Sequence, residues 1–80
     1  MKLTYDPRYN VAYIHLKEKP EQVETIHVSD ALNIDLAPDG TIYGIELLNA
    51  NEQLQGVAEG KLLVINEATG KQVEVAIELT

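Results

Sequence analysis

The chain has no cysteine, no phenylalanine and no tryptophan. Without cysteine there is no disulfide, no thiolate zinc site and no cysteine nucleophile, which fits a reducing compartment. Without phenylalanine or tryptophan the core has to be aliphatic, assisted only by Tyr5, Tyr9, Tyr13 and Tyr43. Cations are scarce: six Lys and Arg stand against thirteen Asp and Glu, a formal net charge of −7. Nucleic acid and anionic membrane both require a basic face, so neither is expected as a partner. The balance suits a basic partner protein, metal cations or simple solubility. Arg8 is the only arginine or lysine beside the N-terminal tyrosines, too little for an aromatic platform that stacks bases. No apolar run approaches the ~20 residues that span a bilayer. The opening MKLTYDPRYN contains no apolar stretch of the ~7–15 residues that a secretory signal carries. The expected location is cytoplasmic.

What is present reads as one domain over residues 1–80, with a small core, since a chain this short buries only roughly 60–65% of its unfolded surface. KLTY (2–5) alternates polar and apolar as a short strand, and Asp6-Pro7 starts a turn that Asn10 can close. VAYIHLK (11–17) is rich in β-branched and aromatic residues. As a strand it puts Ala12, Ile14 and Leu16 on one side and Val11, Tyr13 and His15 on the other. EKPEQVE (18–24), with Pro20, is an exposed loop, and TIHV (25–28) is a brief strand. ALNIDLA (31–37) alternates Leu32, Ile34 and Leu36 against Asn33 and Asp35, the pattern of a half-buried strand.

The segment PDGTIYGIELLNAN (38–51) is the most sharply written. Pro38 and Asp39 suit the centre of a type I turn, and Gly40 can take positive φ. That chemistry favours a three-residue loop pairing Ala37 with Thr41. Side-chain pattern favours a second register, one residue away, that opposes Leu36 to Tyr43, Ile34 to Ile45, Leu32 to Leu47 and Asn33 to Glu46. Turn chemistry carries more weight here. Gly44, inside a strand, signals a bulge or a close approach by another segment. NANEQLQ (49–55) opens a short helix near 50–56, with Asn49 or Asn51 as N-cap and Gly56 at its end. KLLVIN (61–66) and KQVEVAIEL (71–79) form a last hairpin around EATG. Pairing Asn66 with Lys71 brings Leu62 to Val75 and Val64 to Val73.

The expected fold is mainly β. It is an antiparallel meander of about six short strands in three hairpins (2–17, 30–48, 61–79), curled into a sandwich or half-open barrel, with one short helix.

Tyr5, Asp6, Ala12, Tyr13, Ile14, Asp35, Asp39, Gly40, Gly44, Ile45, Glu46, Asn49 and Ala50 together form a recognisable pattern. It has an opening strand ending in Tyr-Asp, a strand of the Ala-Tyr-Ile type, then Asp-Gly and Gly-Ile-Glu followed by Asn-Ala. By these residues the chain, over roughly 1–51, resembles the small proteins grouped as the domain of unknown function 2283. The resemblance implies a small, mostly β fold without an established activity. Members of that group often lie beside genes for small toxin-like proteins, which implies an antitoxin-like binding role. Residues 56–80 lie outside the resemblance.

Candidate chemistry is thin. His15 and His27 come from separate strands without a local ligand spacing, so no metal site is assigned. Asp35 and Glu46 share a pair of strands and, with a histidine, make a small metal-dependent or acid–base hydrolase the alternative reading. No catalytic residue and no cofactor is assigned. Glu46, Asn49 and Asp35 are the candidate binding residues. Pro38, Asp39, Gly40 and Gly44 are read as structural. Strands apolar on both sides, such as VAYI and LLVI, are hard for a chain this short to cover. The leading expectation is therefore a non-catalytic interaction module that forms homo-oligomers and binds a basic partner. A purely structural, self-associating domain is the remaining alternative.

Overall fold

A computed structural model describes residues 1–18, 22–55 and 60–77. It contains strands β1 (Lys2–Asp6), β2 (Val11–His15), β3 (Glu24–Ser29), β4 (Leu32–Leu36) and β5 (Ile42–Leu48), helix α1 (Ala50–Gln55), and strands β6 (Lys61–Ile65) and β7 (Gln72–Ala76). The loop position Pro20, the helix end at Gly56, and Glu78 and Leu79 of the last expected strand lie outside the described residues. No described helix is long and apolar enough to cross a membrane.

The architecture is mainly β, as expected, with all pairings antiparallel. Among the described residues seven strands form, because the brief strand at 25–28 extends to six residues and pairs with β4. Five of them make one sheet in the order β1-β2-β5-β4-β3; β6 and β7 make a separate two-stranded sheet. The larger sheet stays open, with β1 and β3 as its edges, so no closed barrel results. Each of the three expected hairpins is present. The join between the first two, β2 against β5, pairs residues far apart in the chain, such as Ala12 with Leu47.

The β4–β5 hairpin combines both registers read from the sequence. Beside the turn, Ala37 and Thr41 are hydrogen-bonded (N···O 2.8 Å), with Gly40 at φ 86°. This is the three-residue loop. Beyond it the pairing shifts between Asp35 and Leu36, and the other register takes over: Ile34 opposes Ile45, Leu32 opposes Leu47 and Asn33 opposes Glu46. A one-residue bulge thus lets the turn keep its preferred geometry while the aliphatic residues of both strands stay on one face.

Period-two alternation across five strands sorts the sheet into two unlike faces. On one, Leu3, Ile14, Ile45, Ile34 and Ile26 form a row from edge to edge, beside a second row of Tyr5, Ala12, Leu47 and Leu32. The face is fully closed only at Ala12, where α1 packs against β2 and both Ala12 and Ala50 have no exposure. The remaining members of both rows are half-buried or exposed. On the other face stand Thr4, Tyr13, His15, Gly44, Glu46, Asn33, Asp35, Thr25 and His27.

Helix α1 is capped from a distance. The Asn49 carbonyl accepts from the N–H of Glu52 and Gln53, as expected of the residue before a helix. The free N–H groups of Ala50 and Asn51 are instead taken by Asn10, through its carbonyl (3.0 Å) and its side-chain Oδ1 (2.8 Å). Asn49 thus holds the N-cap position, one of the two expected, while the side chain that caps the helix is that of Asn10, whose φ of 56° in the β1–β2 turn aims it at the helix.

Candidate functional site

The polar face is built from two cross-strand rows. Thr4, Tyr13, Glu46, Asn33 and His27 follow one another across β1, β2, β5, β4 and β3. Lys2, His15, Gly44, Asp35 and Thr25 form the next row. Side chains opposite or diagonal on one face lie within reach of each other, so the rows become hydrogen-bonded chains.

Asp35 is held by two hydroxyls. Its Oδ2 accepts from the Tyr13 hydroxyl and its Oδ1 from the Thr25 hydroxyl, both at 2.5 Å. Short O–H···O distances are those of hydroxyls donating to an ionised carboxylate. Tyr13 starts on β2 and Asp35 lies on β4, so the phenol has to cross the intervening strand β5. It crosses at Gly44. A Cβ at that position would stand 2.3 Å from the Tyr13 hydroxyl and 2.4 Å from its Cε1. Gly44 is therefore a glycine because a ring passes over it, which is the close approach read from its place in the strand.

Glu46 belongs to the second chain. Asn33 donates Nδ2 to its Oε1 (2.9 Å), and the Asn33 Oδ1 meets His27 Nδ1 at 2.9 Å. Both carboxylates lack an ion-pair partner among the described residues. The Tyr13 ring also stacks obliquely on His15 (centroids 4.4 Å, 54°) and lies 6.3 Å from the Tyr43 ring.

Burial of the Tyr13 ring, and then its bond to the Asp35 carboxylate, push the phenol well above its ordinary pKa. It remains a donor throughout the neutral range. His15 is shifted down, first by desolvation and then by its cross-strand neighbour Lys2. The arrangement is a set of hydrogen-bonded polar groups across a sheet, in which Glu46 is engaged through Oε1.

The structure brings two of the three expected binding residues together. Asp35 and Glu46 share the polar face on neighbouring strands, whereas Asn49 lies beyond the end of β5, before α1. Pro38, Asp39 and Gly40 form the turn: Asp39 Oδ1 accepts from the N–H (3.0 Å) and the hydroxyl (2.6 Å) of Thr41. His15 and His27 reach the same face, yet among the described residues no three His, Asp or Glu groups gather as metal ligands. An open depression of about 460 Å³ is lined by Lys2, His15, Leu16, Lys17, Glu18 and Tyr43 among others, and not by Asp35 or Glu46. Tyr13 and Thr25 are the members of the network that the sequence did not point to as site residues, whereas Asn33 was expected opposite Glu46 and His27 was weighed as a metal ligand. Their signal was the shared parity of polar residues on strands 11–15, 25–28 and 31–37, usable only once β2 is known to pair with β5.

The family model described as Protein of unknown function (DUF2283) matches residues 2–51. The chain belongs to that family. The matched span runs from the first residue of β1 into the first turn of α1. It therefore contains the whole five-stranded sheet, including Tyr13, Gly44, Asp35 and Glu46, and leaves out β6 and β7. No curated protein and no solved structure matches the chain.

Proposed function

We propose that this member of the DUF2283 family is a non-catalytic protein-interaction module that self-associates through the aliphatic face of its five-stranded sheet. The observation that carries the reading is the row Leu3–Ile14–Ile45–Ile34–Ile26: five aliphatic residues spanning the sheet, none of them buried. Leu3 and Ile26 are 39% and 41% exposed. A contiguous apolar face on a single-layer sheet is an interaction surface or an aggregation hazard. The polar face supports the non-catalytic side of the reading, because its acids are engaged by neutral donors within the sheet. The test is solution mass by light scattering across protein concentration, on wild type and on Ile34→Lys. A dimer or larger assembly that Ile34→Lys dissociates into folded monomer is the expected result. A wild-type monomer at every concentration sinks the proposal.

A second reading concerns the polar face and rests on the reach of Glu46. A part-buried carboxylate without a cation gains from a lysine or arginine supplied by another molecule, and the chain carries net charge −7. This favours a basic protein as a second partner. A lysine-rich peptide should bind wild type in a salt-dependent manner and bind Glu46→Gln more weakly. Equal binding by both proteins removes this face from consideration.

A further inference from the structure

We infer that in a two-fold dimer the aliphatic face of each sheet is covered by the β6–β7 hairpin of the second copy, each chain lending its hairpin to the other. The inference rests on the self-association reading and names the surfaces that meet.

The hairpin has two unlike sides. Its register pairs Leu62 with Val75 and Val64 with Val73, which places those four residues on one side. Lys61, Leu63, Ile65, Gln72, Glu74 and Ala76 occupy the other, where Lys61 Nζ lies 3.5 Å from a Glu74 carboxylate oxygen. The first side is wholly aliphatic, and its residues are 40% (Leu62), 54% (Val64), 61% (Val73) and 46% (Val75) exposed. Among the described residues no strand pairing connects the hairpin to the larger sheet. An isolated two-stranded hairpin is marginally stable at best in water, and a third layer or strand is what ordinarily holds one. The hairpin thus needs a cover beyond the strand pairings of the described residues.

The sheet has the complementary need. Its aliphatic face spans five strands, about 24 Å at the usual strand spacing, and α1 closes only the end at Ala12. A hairpin about 10 Å wide with its side chains fits on what remains, at the ~10 Å separation of packed sheets. Charge does not oppose the contact. Asp35 and Glu46 are on the far face of the sheet and Glu74 on the far side of the hairpin. Glu24, at the edge, is the one charged residue that the register places on the aliphatic face.

The exposed area is large enough for a second copy to be the occupant. The accessible surface is 6159 Å², whereas a compact monomer of 8.9 kDa exposes about 4,800 Å². The excess of about 1,300 Å² exceeds the ~800 Å² per partner of a standard interface. Packing two sheets face to face leaves both hairpins bare, and packing two hairpins together leaves both sheets bare. Reciprocal exchange covers both surfaces in one closed, symmetric assembly.

The absence of cysteine makes the test direct. Val64→Cys and Ile26→Cys, both at exposed positions, are purified separately, checked for a cooperative melt, then unfolded and refolded together. A short bis-maleimide is added to the mixture and to each variant alone. Exchange predicts a cross-linked dimer in the mixture and little in either variant by itself. A dominant Ile26→Cys homodimer means that sheets face each other, and a dominant Val64→Cys homodimer means that hairpins do; either overturns the exchange while leaving self-association standing. A wild type that scatters as a monomer, with no cross-linking anywhere, overturns both readings. In a second measurement, Val64→Asp should weaken dimerisation at least about tenfold, as expected for a charge placed in an interface core, while Ile65→Asp on the other side leaves it within about threefold. Equal weakening by the two also overturns the exchange.

Discussion

Replacing Gly44 by alanine separates two explanations of a strand glycine by the sign of the effect. Gly44 does not have positive φ, so its backbone accepts an L-residue without strain. Were nothing above it, alanine would stabilise the fold by about 0.4–1 kcal/mol by restricting the unfolded chain. The Tyr13 ring changes that outcome. A Cβ 2.3 Å from its hydroxyl cannot be accommodated unless the ring swings away, and swinging away breaks the bond to Asp35. A part-buried bond to a charged group contributes about 1.5–3 kcal/mol, so after the backbone gain Gly44→Ala should destabilise by about 1–2 kcal/mol. For a domain of this size that is a fall in melting midpoint of roughly 4–16 °C, measured by circular dichroism. The mechanism is confirmed by a cycle. In a Tyr13→Ala background the ring is gone, and Gly44→Ala should become neutral or stabilising, a coupling above about 1 kcal/mol. If Gly44→Ala costs the same with and without Tyr13, or stabilises the wild type, the crossing ring is not what demands the glycine.

Further outcomes follow from the same geometry. Asn10→Ala should cost about 1–2 kcal/mol by removing the side-chain cap on α1 and placing alanine at φ 56°, and Asn10→Gly should cost less because glycine tolerates that backbone; chemical denaturation checks the order. In a base titration followed by tyrosinate absorbance, one phenol should ionise well after the others, and Tyr13→Phe should abolish that late phase. Because the folded phenol is raised, its contribution to stability is complete below the unfolded value of about 10 and is lost as pH rises through the folded value. On the acid side the Asp39 carboxyl is held below its usual range, chiefly by the Thr41 hydroxyl. Its contribution is present above pH ~4 and fades as pH falls through the folded value, and Asp39→Asn should flatten that limb of the stability profile.

Much of this protein is written locally. Pro38-Asp39-Gly40 specified its loop because turn geometry depends on three consecutive residues, and the Asn66–Lys71 pairing followed from alternation on either side of a short connection. The apparent conflict of registers around Ile45 arose because each reading was right over a different stretch, and only a bulge between Asp35 and Leu36 reconciles them. The candidate binding acids Asp35 and Glu46 were legible for the same reason, as members of one hairpin.

The remainder depended on tertiary contacts. The pairing of β2 with β5 closes a long loop, and no adjacent residues announce it. Until it forms, Tyr13 has no route to Asp35, Gly44 has nothing above it, and Asn10 has no helix to cap. Composition and alternation by themselves determined a mainly β, acidic chain with more apolar strand surface than it can cover, because those properties are sums over neighbouring residues. Which strands lie side by side, and therefore which polar groups meet on one face and which aliphatic row is left bare on the other, was decided only by the fold, because cross-strand neighbours are set by register between segments far apart in the chain.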